Sequence, residues 1–272
     1  METKQRGIGF QPVRYGKRTE KQPLTTTRKG QAGSLSHGWN MNGIFRRRHL
    51  PHWDVEGHPV FITACLEGSM SAAGLTQIRE FREQLEARPK PSHMTDDEWE
   101  HQKHKLLFAL VDQLLDGHSP VTHLSDESQA EIVQNAFLHF ANERYKLLAF
   151  VVMPSHHHWL FLPDEAWSIN AVHRSRDGEG RVRTPREIIS HSIQSYTATM
   201  CNRVRGASGA YWQTETFDHW VRDDSEMLRI IDYIEQNPVK ANLVNSPEEW
   251  RWSSARLRAE TGVARGQALG VG

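Results

Sequence analysis

Three consecutive histidines, His156, His157 and His158, interrupt the apolar run VVMPSHHHWLFLP at 151–163. Side chains alternate faces along a strand, so His156 and His158 share one face while His157 and Trp159 take the other. Two imidazoles at i and i+2 can converge on one metal ion or on one phosphate. The plain alternative is a set of core histidines that are merely hydrogen-bonded. Tyr233 and Asn237 lie four residues apart in DSEMLRIIDYIEQN and stack on one face of a helix. Asn237 can add an amide oxygen to the two imidazoles. A mixed N/O site with open positions suits Mg²⁺ or Mn²⁺ acting as a Lewis acid on a phosphate. Tyr233 is then placed to attack that phosphate. A phenol titrates near pH ~10 and needs a metal or a base to become a nucleophile at neutral pH. The competing reading packs Tyr233 between Ile230 and Ile234, and Tyr196, on the preceding helix, has equal merit as a nucleophile. A zinc site would need further Cys or His at characteristic spacing, and no second cluster stands out.

The elements that must position these groups follow from periodicity and punctuation. PVFITACLEG (59–68) reads as a strand: short, β-branched and bounded by glycines. LTQIREFREQLEA sets Leu75, Ile78, Phe81 and Leu85 along a helix ended by Pro89 and Pro91. Thr95 and Glu98 form a capping box for a helix with an apolar stripe at Trp99, Leu106, Leu107, Leu110 and Leu114, stopped by Gly117. A third helix begins near Ser125. YKLLAFVVM (145–153) and HHHWLFL (156–162) make a strand pair broken at Pro154-Ser155. A polar loop covers 164–183. Thr184, Pro185 and Glu187 start a helix running to about Val204. TETFDHWVR (214–222) reads as a strand, and Asp223 with Glu226 caps a last helix that Pro238 stops. Strands and helices mix without a regular βαβ rhythm, which favours an α+β fold with a mainly antiparallel sheet.

Composition narrows the partners. The chain has 272 residues and two distant cysteines, Cys65 and Cys201, which suggest neither a disulfide framework nor a metal knuckle. There is no apolar run of membrane-spanning length and no opening signal pattern, so a cytoplasmic protein is expected. Net charge is zero, but the first fifty residues carry eleven Lys/Arg against Glu2 and Glu20, a net +9 balanced by −9 over the rest. Residues 1 to 44 read as a mobile basic arm suited to phosphates, or as a solvated tail without a partner.

The stretches MPSHHHWLFLP, SIQSYTATMCNRV, YWQTETFDHWVRDD, IIDYIEQNPVKANLV and EEWRWSSA, in this order, resemble the single-tyrosine HUH transposases, above all the REP-associated tyrosine transposases. RRRHLPHWDVEGHPVFITACL resembles the first strand of that family. The resemblance spans roughly 46–66, 145–162 and 185–255. It implies a ferredoxin-like antiparallel sheet with packed helices over 45–258, with 259–272 a flexible tail. It implies a divalent metal, Mg²⁺ or Mn²⁺, held by His156, His158 and Asn237. Tyr233 would attack a scissile phosphate of single-stranded or hairpin DNA, leaving a 5′-phosphotyrosine and a free 3′-OH. Tyr196 does not fall at the family's nucleophile position. His219 in FDHWVR matches a family position without an assigned role. Arg46, Arg47 and Arg48 could track phosphates, and Trp53 and Trp212, with Trp159 and Trp220, are candidates for base stacking. The protein could be a monomer or a homodimer. Three departures stand out: His157 where a bulky apolar residue is usual, Ser155 for a common Asn, and Gln194 for a common Lys. Residues from about 68 to 125 have no family counterpart and read as a helical insertion, either a lid, a DNA contact or extra packing.

Two other functions fit parts of the pattern. One is a hairpin-DNA-binding protein of the same fold that has lost cleavage, motivated by His157. The other is an HxH metallohydrolase with water as nucleophile. Only 114 residues follow His158, too few for a barrel of ~250 residues.

Overall fold

β-branched and aromatic runs bounded by turn residues become four strands: β3 (Val60–Cys65), β4 (Tyr145–Val152), β5 (His156–Pro163) and β6 (Phe217–Trp220). They pair in the order β4-β5-β3-β6, each neighbour antiparallel. The computed structural model describes residues 43–47, 51–55, 57–115, 119–172, 175–178, 180–214 and 216–269, the first two segments by backbone alone. Those two form a hairpin of β1 (Gly43–Arg47) and β2 (Pro51–Val55). From β3 the chain passes through helices to β4, turns directly into β5, and passes through helices again to β6. That is the β-α-β-β-α-β connectivity of a ferredoxin-like fold, as the resemblance implies.

The crossover helices follow their caps. Asp126 caps α3 (Glu127–His139) by accepting from the Ser128 and Gln129 amides. Thr184 and Glu187 close the sequence-predicted capping box on α5 (Pro185–Arg205), and Gly206 ends it in the left-handed region at φ 61°. Both helices cover one face of the sheet, where Ile62, Phe150, Trp159 and Phe137 pack with Ile189 and Ile193. The opposite face carries Phe61, Val151 and Leu160. It is covered by α6 (Asp224–Lys240) through Ile231 and Ile234, which are fully buried. The helix passes through Pro238, where the sequence was expected to stop it, and closes on Lys240. The polar loop after β5 also holds a short helix, α4 (Glu165–Val172), with no fully buried residue.

The expected insertion is a helical hairpin of α1 (Ala72–Ala87) and α2 (Asp96–Leu115). The Thr95 and Glu98 capping box starts α2: the Thr95 amide donates to Glu98 Oε2 at 2.8 Å and the Glu98 amide to Thr95 Oγ1 at 3.2 Å. Ile78, Leu85, Leu107, Val111 and Leu115 build a small core of their own, which reaches the sheet through Cys65 and Phe217. Leu75, expected on the inner face of α1, is exposed.

The expected flexible tail is a correction. After α7 (Ser254–Thr261) the chain folds back, and Leu269, buried, donates its amide to the Leu147 carbonyl at 2.7 Å. Arg258 bonds Glu235 Oε1 at 3.0 Å and also the Ala264 and Gln267 carbonyls. Buried charges need partners, and Glu235 on α6 supplies one, so the C-terminal segment is tied to the helix that carries Tyr233. Among the described residues no helix is long and apolar enough to cross a membrane.

Candidate active site

Register explains where the histidines point. His158 lies opposite Thr63 on β3 and His156 opposite Cys65, so these four share a face. That face is the one beneath α6. Thr63 Oγ1 and His158 Nδ1 are 2.7 Å apart, and Asn237 Nδ2 is 3.3 Å from His158 Nε2. The amide can only donate, so Nε2 accepts and Nδ1 carries the proton toward Thr63. An imidazole that binds a metal through one nitrogen is usually oriented by a hydrogen bond from the other. His156 repeats the arrangement: its Nδ1 lies 3.0 Å from Ser155 Oγ, while its Nε2 is buried without a hydrogen-bond partner.

Burial removes protons from both rings. His156 is pushed down to about 3 by burial. His158 lies well below its ordinary value, from burial first and then from the neighbouring histidines and Lys240. Both are therefore neutral and present lone pairs. Asn237, fully buried, leaves its Oδ1 without a partner as well. His156 and Asn237, each with an orphaned acceptor, flank His158, through ring centroids 4.8 Å apart on one side and the amide hydrogen bond on the other; imidazole nitrogens and an amide oxygen are a donor set suited to a divalent cation. Among the described residues no three His, Cys, Asp or Glu side chains form a metal-binding group. Cys65 lies on the same face, and burial, with the charge of Asp112, pushes its thiol up to about 12.

Tyr233 sits one helical turn before Asn237, and its ring centroid is 5.4 Å from that of His158. Its hydroxyl donates to Asp112 Oδ1, and the same oxygen lies 3.6 Å from His158 Nε2. Phe61 and Phe108 wall the phenol edge-on at 6.0 and 6.1 Å. Lys240 Nζ stands 4.5 Å from the Tyr233 ring centroid. Tyr196 is excluded by placement: it lies on α5, which covers the other face. Beside Tyr233 opens a cleft of about 200 Å³, lined by Phe61, Phe108 and Phe217, with Lys105, Arg229 and His219. His219 Nε2 is 3.3 Å from Glu226 Oε1, and Lys105 Nζ is 3.1 Å from the same oxygen.

The remaining candidates scatter. His157 points to the opposite face, as expected, and packs edge-on against Phe137 and Trp212 at 5.1 and 4.9 Å. Both its ring nitrogens are buried without hydrogen-bond partners, and burial, followed by His156, pushes it down to about 3. Trp212 corrects its assignment to base stacking: it is 8% exposed, and its Nε1 donates to Thr197 Oγ1 at 2.9 Å. Trp159, 1% exposed, is likewise core. Trp220 is half-buried at the end of β6. Arg46 and Arg47 lie on β1 and Trp53 on β2, where the backbone alone is described, and Arg48 lies outside the described residues. Sequence reasoning missed Asp112, Thr63 and Lys240. Lys240 was reachable, since it stands seven residues after Tyr233 on the same helix face. Asp112 carried no signal, because only tertiary packing of the insertion brings it here.

No protein-family model matches the chain. A 53-residue stretch is 36% identical to a curated Haemophilus influenzae protein named "Putative REP-associated tyrosine transposase", covering 20% of this chain and 30% of that relative. A solved structure of a REP-associated tyrosine transposase bound to a REP hairpin aligns at a TM-score of 0.43 with 16% identity, covering 84% of this chain and 92% of that one. The resemblance of the motifs to REP-associated tyrosine transposases thus has a counterpart in a named relative.

Proposed function

We propose that the protein is a metal-dependent endonuclease and strand transferase acting on single-stranded DNA next to a hairpin, with Tyr233 as nucleophile. One observation carries this reading. Two residues with buried, unpartnered acceptors, His156 (Nε2) and Asn237 (Oδ1), flank His158, whose ring centroid is 4.8 Å from that of His156 and 5.4 Å from that of Tyr233. His156, His158 and Asn237 would hold Mg²⁺ or Mn²⁺, which would polarise the scissile phosphate. Tyr233 Oη attacks phosphorus, the P–O3′ bond breaks, and the protein keeps the 5′-phosphate as a phosphotyrosine while the 3′ oxygen leaves as a hydroxyl. Thr63 and Ser155 orient the imidazoles. The cleft beside Tyr233 offers aromatic walls for an unstacked base and Lys105 and Arg229 for its phosphates. The hairpin specificity rests on the resemblance of the motifs to the REP-associated tyrosine transposases. The non-cleaving alternative, motivated by His157, predicts hairpin binding without an adduct. The metallohydrolase alternative loses its scaffold in a four-stranded antiparallel sheet.

The test is cleavage of single-stranded DNA carrying imperfect hairpins, with Mn²⁺ or Mg²⁺, read as a denaturant-resistant protein–DNA band. Tyr233→Phe and His158→Ala should both abolish the band. An adduct that survives in Tyr233→Phe removes the assignment. Hairpin binding without any adduct moves the function to recognition alone.

A further inference from the structure

The residues so far assigned to the chemistry come from the sheet and α6. The insertion also enters the site. We infer that Asp112, on α2, is a positioning residue that holds the Tyr233 hydroxyl for attack, which makes the inserted helical hairpin part of the catalytic unit. This rests on the tyrosine-transferase reading above. The phenol donates to Asp112 Oδ1, and that oxygen is 3.6 Å from His158 Nε2, so the carboxylate fixes Oη at the edge of the metal-binding group.

The carboxylate is itself held. Its neighbours on α2, Val111 and Leu115, are 0% and 3% exposed in the insertion's core, against Cys65 and Phe217 of the sheet. Phe108, one turn earlier on α2, packs edge-on against Phe61, His158 and Tyr233 at centroid distances of 5.3, 6.4 and 6.1 Å. The same helix therefore supplies a wall for the tyrosine ring and an acceptor for its hydroxyl. A tyrosine anchored only by its backbone can swing about two side-chain torsions. An acceptor on a second rigid element removes that freedom before substrate arrives. Misplacement of a reacting group by about 1 Å can cost on the order of 10²-fold in rate.

The experiment uses the full chain. Single-turnover adduct formation on hairpin DNA with Mn²⁺ is measured for wild type, Asp112→Ala, Asp112→Ser and Asp112→Asn. In parallel, ¹³Cζ-tyrosine NMR follows Tyr233, assigned by Tyr233→Phe. Positioning requires the Ala and Ser variants to slow adduct formation about 10²-fold with DNA affinity unchanged. Asn, whose amide oxygen still accepts, should restore the rate to within about tenfold. The Tyr233 resonance should move in Ala and Ser and return in Asn. Wild-type rates in Ala and Ser overturn the inference. Equal losses in Ala, Ser and Asn also overturn it, because the carboxylate then acts through its charge. A wild-type protein that forms no adduct overturns the transferase reading, and this role with it. The NMR arm needs no cleavage, so it still separates that case from a phenol that never meets Asp112: an unmoved resonance in Ala and Ser removes the contact itself.

Discussion

Replacing the site by hydrocarbon should stabilise the metal-free protein and abolish its response to metal. The variant is Ser155→Ala with His156→Leu. In the wild type, His156 Nε2 is buried and unpartnered, while Nδ1 and Ser155 Oγ satisfy each other at 3.0 Å. A buried polar atom without a partner costs about 1–3 kcal/mol, and replacing both members of a hydrogen bond by apolar groups is nearly neutral. The near-volume-conserving swap adds a smaller cost, below about 1.5 kcal/mol. The balance is a gain of about 1 kcal/mol, or roughly 2–4 °C in Tm for a domain of this size. Mn²⁺ at a hundredfold excess over its dissociation constant should stabilise the wild type by about 2.7 kcal/mol, roughly 5–10 °C. The variant should gain nothing. The two proteins therefore exchange rank: the variant melts higher in chelator, the wild type higher in Mn²⁺. Differential scanning fluorimetry across a Mn²⁺ titration reads both signs. A variant that loses more than about 2 kcal/mol without metal would show that Nε2 is satisfied in the apo protein. A variant that keeps the Mn²⁺ shift would place the ion elsewhere.

Three further outcomes are expected. Burial opposes ionisation of Glu226, but hydrogen bonds from His219 and from the Arg222 side chain and amide outweigh it and hold the carboxyl well below its ordinary 4.5. Its contribution is complete above the unfolded value and is lost as pH falls below about 4.5 toward the folded one. The stability gap between wild type and Glu226→Gln, measured by urea melts, should shrink on acidification; a gap that widens refutes the ion cluster. Arg258→Met leaves Glu235 short of a buried partner and should cost about 3 kcal/mol, a fall of roughly 6–12 °C in Tm. No change would mean that the C-terminal segment does not brace α6. Trp212→Phe removes the bond to Thr197 and should cost about 1 kcal/mol with hairpin affinity unchanged; a loss of affinity would return Trp212 to the DNA surface.

What the sequence could say depended on the range of the interaction. The face shared by His156 and His158 follows from the two-residue period of a strand, and the stacking of Tyr233 on Asn237 from the helical turn. The caps at Thr95, Asp126, Thr184 and Asp223 are likewise local: each side chain meets an amide two or three residues on. Element starts were therefore readable, and element ends less so. Pro238 was read as a stop, yet α6 continues to Lys240, because a proline removes one donor at the helix end without forbidding the last turn. The fold of residues 262–269 had no local signature at all. Leu269 and the carbonyls that Arg258 ties down become visible only when β4 and Glu235 are in place.

The same reasoning explains why the insertion could be read as a lid, a DNA contact or extra packing. Its helices read as amphipathic segments with apolar stripes, and Asp112 is not singled out. Nothing within a few residues of Asp112 marks it, since its partners Tyr233 and His158 are 121 and 46 positions away. Phe108 and Val111 flank the carboxylate on a helix face that also buries Leu107 and Leu115, and docking of that face leaves the Asp112 side chain only 14% exposed. Such a group must find a donor on the opposing surface or be neutralised. The docked surface offers the Tyr233 hydroxyl. On the inference drawn above, the hairpin of α1 and α2 takes part in the site because docking its apolar stripe brings Asp112 against the Tyr233 hydroxyl.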